Sequence, residues 1–234
     1  MREELVWGIG IGIVLLIIEQ LTKKGNTREI EGLFKTTAYH EAGHAVIAIY
    51  LGLRCTSILL NIDIKDKKIH SHLKYLGVAF IETKFQKEME FIVNYARGIV
   101  FNTDKLPYSK DLAMYARNKL LIDYAGEITL KAIFNMPIEQ MQIIDNRIAE
   151  RGEDLYSAQG IIDYLNKVNH PITGTEAANE VAAIINDNKE IRAAIHFLAD
   201  VLMENPGTMI YENEILENLK MCNFFDVYKK EMQG

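Results

Sequence analysis

Two histidines and a glutamate stand together at His40-Glu41-Ala42-Gly43-His44, the pattern H-E-x-x-H. On a helix, His40 and His44 lie one turn apart along the axis and about 40° apart around it, so both imidazoles reach one ion. Two neutral imidazoles with a carboxylate suit Zn2+, which lowers the pKa of a bound water to about 7. Glu41, about 100° round from His40, is poorly placed as a further ligand. It is well placed to take a proton from a water at the open metal position and to pass one to a leaving amine. The bland alternative is a chance H-E-x-x-H on a helix surface. The neighbours argue against it: Ala38, Ala42, Ala45 and Ala48 are small, and Val46, Ile47 and Ile49 are apolar. A helix of this composition is buried, and His and Glu at its centre need partners there.

The helix that must carry this motif is expected to run from a cap at Thr36 or Thr37 to about Leu51, with Gly52 just past its end. Two β-like runs follow, Thr56–Ile64 and Tyr75–Glu82, with the polar stretch Asp63–His72 as a hairpin or loop between them. From Lys84 onward apolar residues recur at threes and fours. This predicts helices over about 85–101, 109–134, 137–150, 155–168, 175–186, 188–203 and 212–221, with Pro107, Pro137, Pro171 and Pro206 at or near the breaks. The expected fold class is mainly α with a small β element. At 49% hydrophobic and 25% charged residues the chain is ordinary globular material, which excludes disorder as its main content. A length of 234 residues is enough for one large or two small domains. The net charge of −6 and the dispersed basic residues give no reason to expect nucleic acid as a partner. Cys55 and Cys222 are too few for a disulfide framework and read as free thiols in a reducing compartment.

The N-terminus departs from this average. Leu5 to Ile18 is fourteen residues without a charge or a side-chain amide. As a helix it would be about 21 Å long, short of the roughly 30 Å hydrocarbon core. Extension through Leu21 reaches a marginal span, with Trp7 where an interfacial aromatic would sit. A secretory signal would want a basic leader, whereas Arg2 is followed by Glu3 and Glu4; a buried helix of a soluble domain would want a polar face. A single membrane anchor over residues 5–21 is therefore expected. Lys23, Lys24 and Arg28 directly after it place the rest of the chain on the cytoplasmic side. Gly8 and Gly12 have the small-xxx-small spacing of paired membrane helices.

The segment Thr37-Ala38-Tyr39-His40-Glu41-Ala42-Gly43-His44-Ala45-Val46 resembles the TAYHEAGHA segment of the FtsH-type membrane-bound zinc metallopeptidases, a far more specific match than H-E-x-x-H alone. Weaker similarities follow in order. Leu76-Gly77-Val78-Ala79 resembles the family's short strand near the cleft, and Tyr124-Ala125-Gly126-Glu127 through Ile133-Phe134 resembles its LLGGRAAEEIVFG helix. Gly152-Glu153-Asp154-Leu155 resembles its GASNDL segment, and Asn188 to Leu219 its terminal helices. The similarity spans roughly residues 33–222, and only its first motif is sharp. It implies a zinc metalloendopeptidase in which His40 and His44 are ligands, Glu41 is the general base and acid, and Asp154 is the third ligand. It further implies an extended substrate added to the edge of the Tyr75–Glu82 strand, and a ring-shaped homo-oligomer. On this reading residues 1–24 are the membrane anchor and its basic flank, 25–170 the zinc metallopeptidase core, and 171–234 the C-terminal helical part of the same domain.

Several features depart from the family pattern. No G-x-x-x-x-G-K-[ST] occurs in these residues, so the family's ATP-driven unfolding machine has no counterpart in them. Cleavage would then be limited to flexible or unfolded protein or peptide substrates, unless a separate ATPase partner unfolds them. Leu130-Lys131 stand where the family has paired glutamates, and Asp154 lies further from His44 than the family spacing. Glu127, Glu150 and Glu153 compete with Asp154 for the third position, and Asp154 has an alternative as the N-cap of a helix starting at Leu155. His70 and His72 alternate as on a strand but belong to a Lys-rich polar loop; His170 precedes Pro171 in a turn; His196 sits among apolar helix residues. Tyr39 reads as packing rather than catalysis. The rival function is a catalytically inactive, membrane-tethered adaptor or scaffold with the same fold, and a third is a metal sensor with four protein ligands. Both leave unexplained why a base stands between the ligands.

Overall fold

A computed structural model describes residues 27–63, 68–69, 76–96, 106–135 and 153–225. Seven helices and a three-stranded sheet make up the described part. In chain order they are α1 (Thr27–Tyr50), β1 (Cys55–Leu60), β2 (Ile62–Asp63), β3 (Lys68–Ile69), β4 (Gly77–Ile81), α2 (Gln86–Ala96), α3 (Lys110–Phe134), α4 (Glu153–Lys167), α5 (Gly174–Asp187), α6 (Lys189–Glu204), β5 (Met209–Tyr211) and α7 (Glu212–Met221). The mainly helical class with a small sheet is as expected. Residues 5–21, expected as an anchor, and the helix expected over 137–150 lie outside the described residues. Among the described residues no helix is long and apolar enough to cross a membrane.

The helix α1 is the axle of the domain. It packs against α3 on one side, α6 on another, and the strands β1 and β4 on a third. Burial on every side is what its sequence of alanines and branched apolar residues requires: Ala38, Ala42, Ala45, Val46, Ile47 and Ala48 are wholly enclosed. The helix starts at Thr27, well before the cap expected at Thr36 or Thr37. Those hydroxyls do not cap; they donate back to carbonyls one turn earlier, Thr36 to Gly32 (2.9 Å) and Thr37 to Leu33 (2.8 Å), a bond that lets threonine sit inside a helix. The C-terminal end is as read. Gly52 takes φ 76°, and the amide of Leu53 donates to the Ala48 carbonyl at 2.9 Å, a Schellman closure.

The other helix ends also follow local chemistry. Ser109 caps α3 by accepting from the Leu112 amide, and Asn135 closes it in the left-handed region at φ 49°. Thr173 and Glu176 form a reciprocal capping box at the start of α5, just after Pro171. Where α1 crosses α3, a side chain on Gly43 would lie 2.8 Å from Thr129 Cβ, so only glycine lets the two backbones approach this closely.

The sheet order is β4-β1-β5, antiparallel throughout, with Ile58 of β1 opposite both Ala79 of β4 and Ile210 of β5. The two expected β runs are trimmed to Cys55–Leu60 and Gly77–Ile81. Ile62–Asp63, from the end of the first expected run, pairs instead with Lys68–Ile69 as a separate small antiparallel pair that overlaps the stretch 63–72 read as hairpin or loop. The strand β5 was not expected. Three residues after Pro206-Gly207 are too few to show a period of two.

Candidate metal centre

His40 and His44 sit in the middle of α1 with their rings edge to face, centroids 4.6 Å apart. Their Nε2 atoms converge to 3.0 Å. The Nδ1 of His44 lies 2.7 Å from the carbonyl oxygen of Ile122 on α3. A carbonyl only accepts, so Nδ1 carries the proton and Nε2 of His44 presents its lone pair toward His40. A tetrahedral zinc with Zn–N of about 2.0–2.1 Å sets two ligand nitrogens about 3.3–3.4 Å apart. The observed pair is within a few tenths of an ångström of that edge, so these two imidazoles fit a zinc ion. His44 also has the backbone partner on its other nitrogen that metal-binding histidines use to fix ring and tautomer.

The backbone around the rings is shaped by two glycines. A Cβ on Gly126 of α3 would fall 2.6 Å from Nε2 of His40, so α3 passes directly beneath that ring. A Cβ on Gly77, the first residue of β4, would fall 2.6 Å from Cγ of Glu41 and 3.1 Å from its Oε1. The base candidate therefore lies against the start of the strand expected to border the cleft. Glu41 and His44 each keep 8% of their surface exposed, while His40 is half-buried. Two of the three side chains are therefore buried and the third is partly open to solvent.

The third position is less complete. Asp154 is the second residue of α4, inside its first turn; the helix begins at Glu153, so the alternative of Asp154 as an N-cap before Leu155 does not hold. The side chains of Asp154 and Glu153 lie outside the described residues, as does Glu150. Glu127 is turned to an ion pair with Lys131 at 2.8 Å. Among the described side chains no group of three His, Cys, Asp or Glu is close enough to hold a metal.

Asp123, next in the chain to the carbonyl that holds His44, was not singled out from the sequence. Its carboxylate is buried and ion-paired with Lys119 one turn earlier. The i,i+4 spacing of Lys119 and Asp123 marks the pair, but not its burial, which depends on how α3 packs.

The remaining candidates resolve into packing. Tyr39 is buried, its ring edge-on to Phe134 at 4.9 Å and its hydroxyl hydrogen-bonded to Nδ1 of His196 at 2.8 Å. Burial, with the charge of Asp200 adding to it, raises the Tyr39 phenol above its usual range. Tyr39→Phe should lower stability by about 1 kcal/mol, the net worth of one hydrogen bond, and leave zinc content unchanged. Thermal melts with metal analysis check this, and a fall in activity without a fall in stability would put Tyr39 in the chemistry. His196 is a partnered helix histidine, as expected, and His170 stacks on Tyr108. His70 and His72 lie outside the described residues.

Both cysteines are free thiols. Burial pushes the Cys55 thiol up to about 12, with the charge of Glu41 adding to the rise and a hydrogen bond with the Ser57 backbone opposing it. At neutral pH a thiol reagent should therefore modify one cysteine in the native chain, the half-buried Cys222, and Cys55 only after unfolding. Two fast equivalents in native protein would contradict this burial.

No model of a known protein family matches the chain, and no curated protein matches it.

Proposed function

We propose that this chain is a zinc metalloendopeptidase of the FtsH peptidase type. The observation that carries the proposal is the convergence of two Nε2 atoms to 3.0 Å with the His44 tautomer fixed from behind by Ile122. His40 and His44 would hold the metal, with Asp154 as the third ligand. Zinc bound there would lower the pKa of a water to about 7 and polarise the scissile carbonyl. Glu41 would accept the proton of the attacking water and pass it to the departing amine. Its burial against Gly77 fixes the carboxylate and keeps bulk water from competing for it.

Among the described strands β4 is an edge, paired only with β1. An extended peptide adds to that edge through main-chain hydrogen bonds, which favours flexible substrates and a loose sequence preference. Residues 5–21 anchor the chain in a membrane once, with the peptidase domain in the cytoplasm. Homo-oligomerisation and a separate unfolding ATPase complete this reading.

The test is direct. Full-length protein reconstituted with zinc should hold about one ion per chain and cleave an unstructured fluorogenic peptide. Chelation should abolish the cleavage and added zinc should restore it. Protein that stays metal-free after reconstitution would overturn the proposal.

A further inference from the structure

A cleft of about 380 Å³ opens between α2, α3 and α4. Its walls include Gln86, Glu90 and Val93 of α2, Tyr115 and Lys119 of α3, and Ser157 of α4. Its charged lining residues are Lys119 and Glu90. The Lys119 ammonium is matched by the buried carboxylate of Asp123, which lies behind the lining, whereas Glu90 is exposed with no ion pair among the described residues. Among the described lining residues Glu90 is therefore the charge left to face a guest. The uncharged lining suits the same guest: Val93 and the Tyr115 ring offer apolar surface to a methylene stem, and Gln86 and Ser157 offer oxygens to a terminal N–H. An aromatic wall adds attraction for a cation.

Two chain connections join this cleft to the metal centre. Asp123, in the ion pair, adjoins Ile122, whose carbonyl holds His44. Thr83, also on the cleft wall, follows β4, whose first residue lies against Glu41. A peptide extended along β4 covers about 3.3 Å per residue, and six positions separate Gly77 from Thr83. A side chain entering the cleft therefore comes from within about six residues of the bond being cleaved.

We infer that this cleft is a specificity subsite for a long basic side chain, lysine or arginine, of the peptide substrate, with Glu90 as its charge partner. The inference rests on the peptidase reading. Its test is a set of peptides in which one arginine is moved through the six positions on either side of the cleaved bond, against matched glutamine and glutamate peptides. Zinc-loaded full-length protein should show kcat/KM at least tenfold higher for arginine than for glutamate at one position. Glu90→Gln should flatten that preference, and Glu90→Lys should invert it toward glutamate, with zinc content and melting temperature at parent values. Glu90 is exposed on a helix surface, so neither variant threatens the fold. Cleavage with the same preference in parent and variants overturns the subsite alone. No cleavage of any peptide by the zinc-loaded parent overturns the peptidase reading and the subsite with it.

Discussion

Glu41→Gln should bind zinc as the parent does and hydrolyse peptides about 10²–10⁴-fold more slowly, the usual worth of a positioned general acid–base. Glutamine has the same length and shape, so the contact with Gly77 and the burial of the side chain survive. What goes is the ability to accept a proton. The proposed ligands, His40 and His44, are one residue before and three after on α1, and the Ile122 carbonyl that orients His44 belongs to another helix, so the exchange leaves their ring nitrogens alone. An adaptor that kept the fold, or a sensor with a structural metal, has no use for that proton transfer and would be indifferent to the change. Zinc analysis alongside steady-state cleavage decides the matter: equal rates in the two proteins would remove Glu41 from the mechanism.

The second large effect is expected from a residue that touches no substrate. Gly126→Ala should weaken zinc binding about 100-fold, at the upper end of what disturbing the surroundings of a metal ligand costs. Two forces compete at this position. Alanine is the better helix former by about 1 kcal/mol, which on its own would stabilise α3. Its methyl would also lie 2.6 Å from Nε2 of His40, inside any tolerable contact, and the half-buried imidazole can swing away more cheaply than two packed helices can separate. The folded domain should thus persist, with a metal-free melting temperature at or slightly above the parent's, while the ring no longer meets its neighbour. His44→Ala provides the comparison: it removes a ligand outright and should lose both zinc and activity. Undiminished zinc affinity in Gly126→Ala would mean that His40 does not need the position it occupies over α3.

The parts of the molecule that were legible in the sequence are those set by short-range chemistry. The helix carrying H-E-x-x-H announced its burial through its alanines, and α3, α4, α5, α6 and α7 fell within a residue or two of the spans their apolar spacing and flanking prolines imply. The start of α1 was misplaced because a threonine hydroxyl can cap a helix or bond back inside one, and only the tertiary setting decides. The strand β5 was invisible because three residues owe their conformation to β1 rather than to their own pattern. In the candidate site, the spacing of the two histidines was legible since both share one helix. The floor under His40 and the wall behind Glu41 were not, because Gly126 and Gly77 act through the absence of a side chain at a contact between distant segments.

Seating both imidazoles midway along a helix enclosed on three sides by other elements has a consequence for how the metal arrives. In small zinc modules the ion must gather its ligands from a loose chain, and binding is spent on folding. Here hydrophobic packing of the helix sets the two Nε2 atoms 3.0 Å apart, so zinc bound under the proposed function would be held by a seat that the fold supplies. On the proposed function, metal supply would then switch the chemistry on or off while leaving the polypeptide intact.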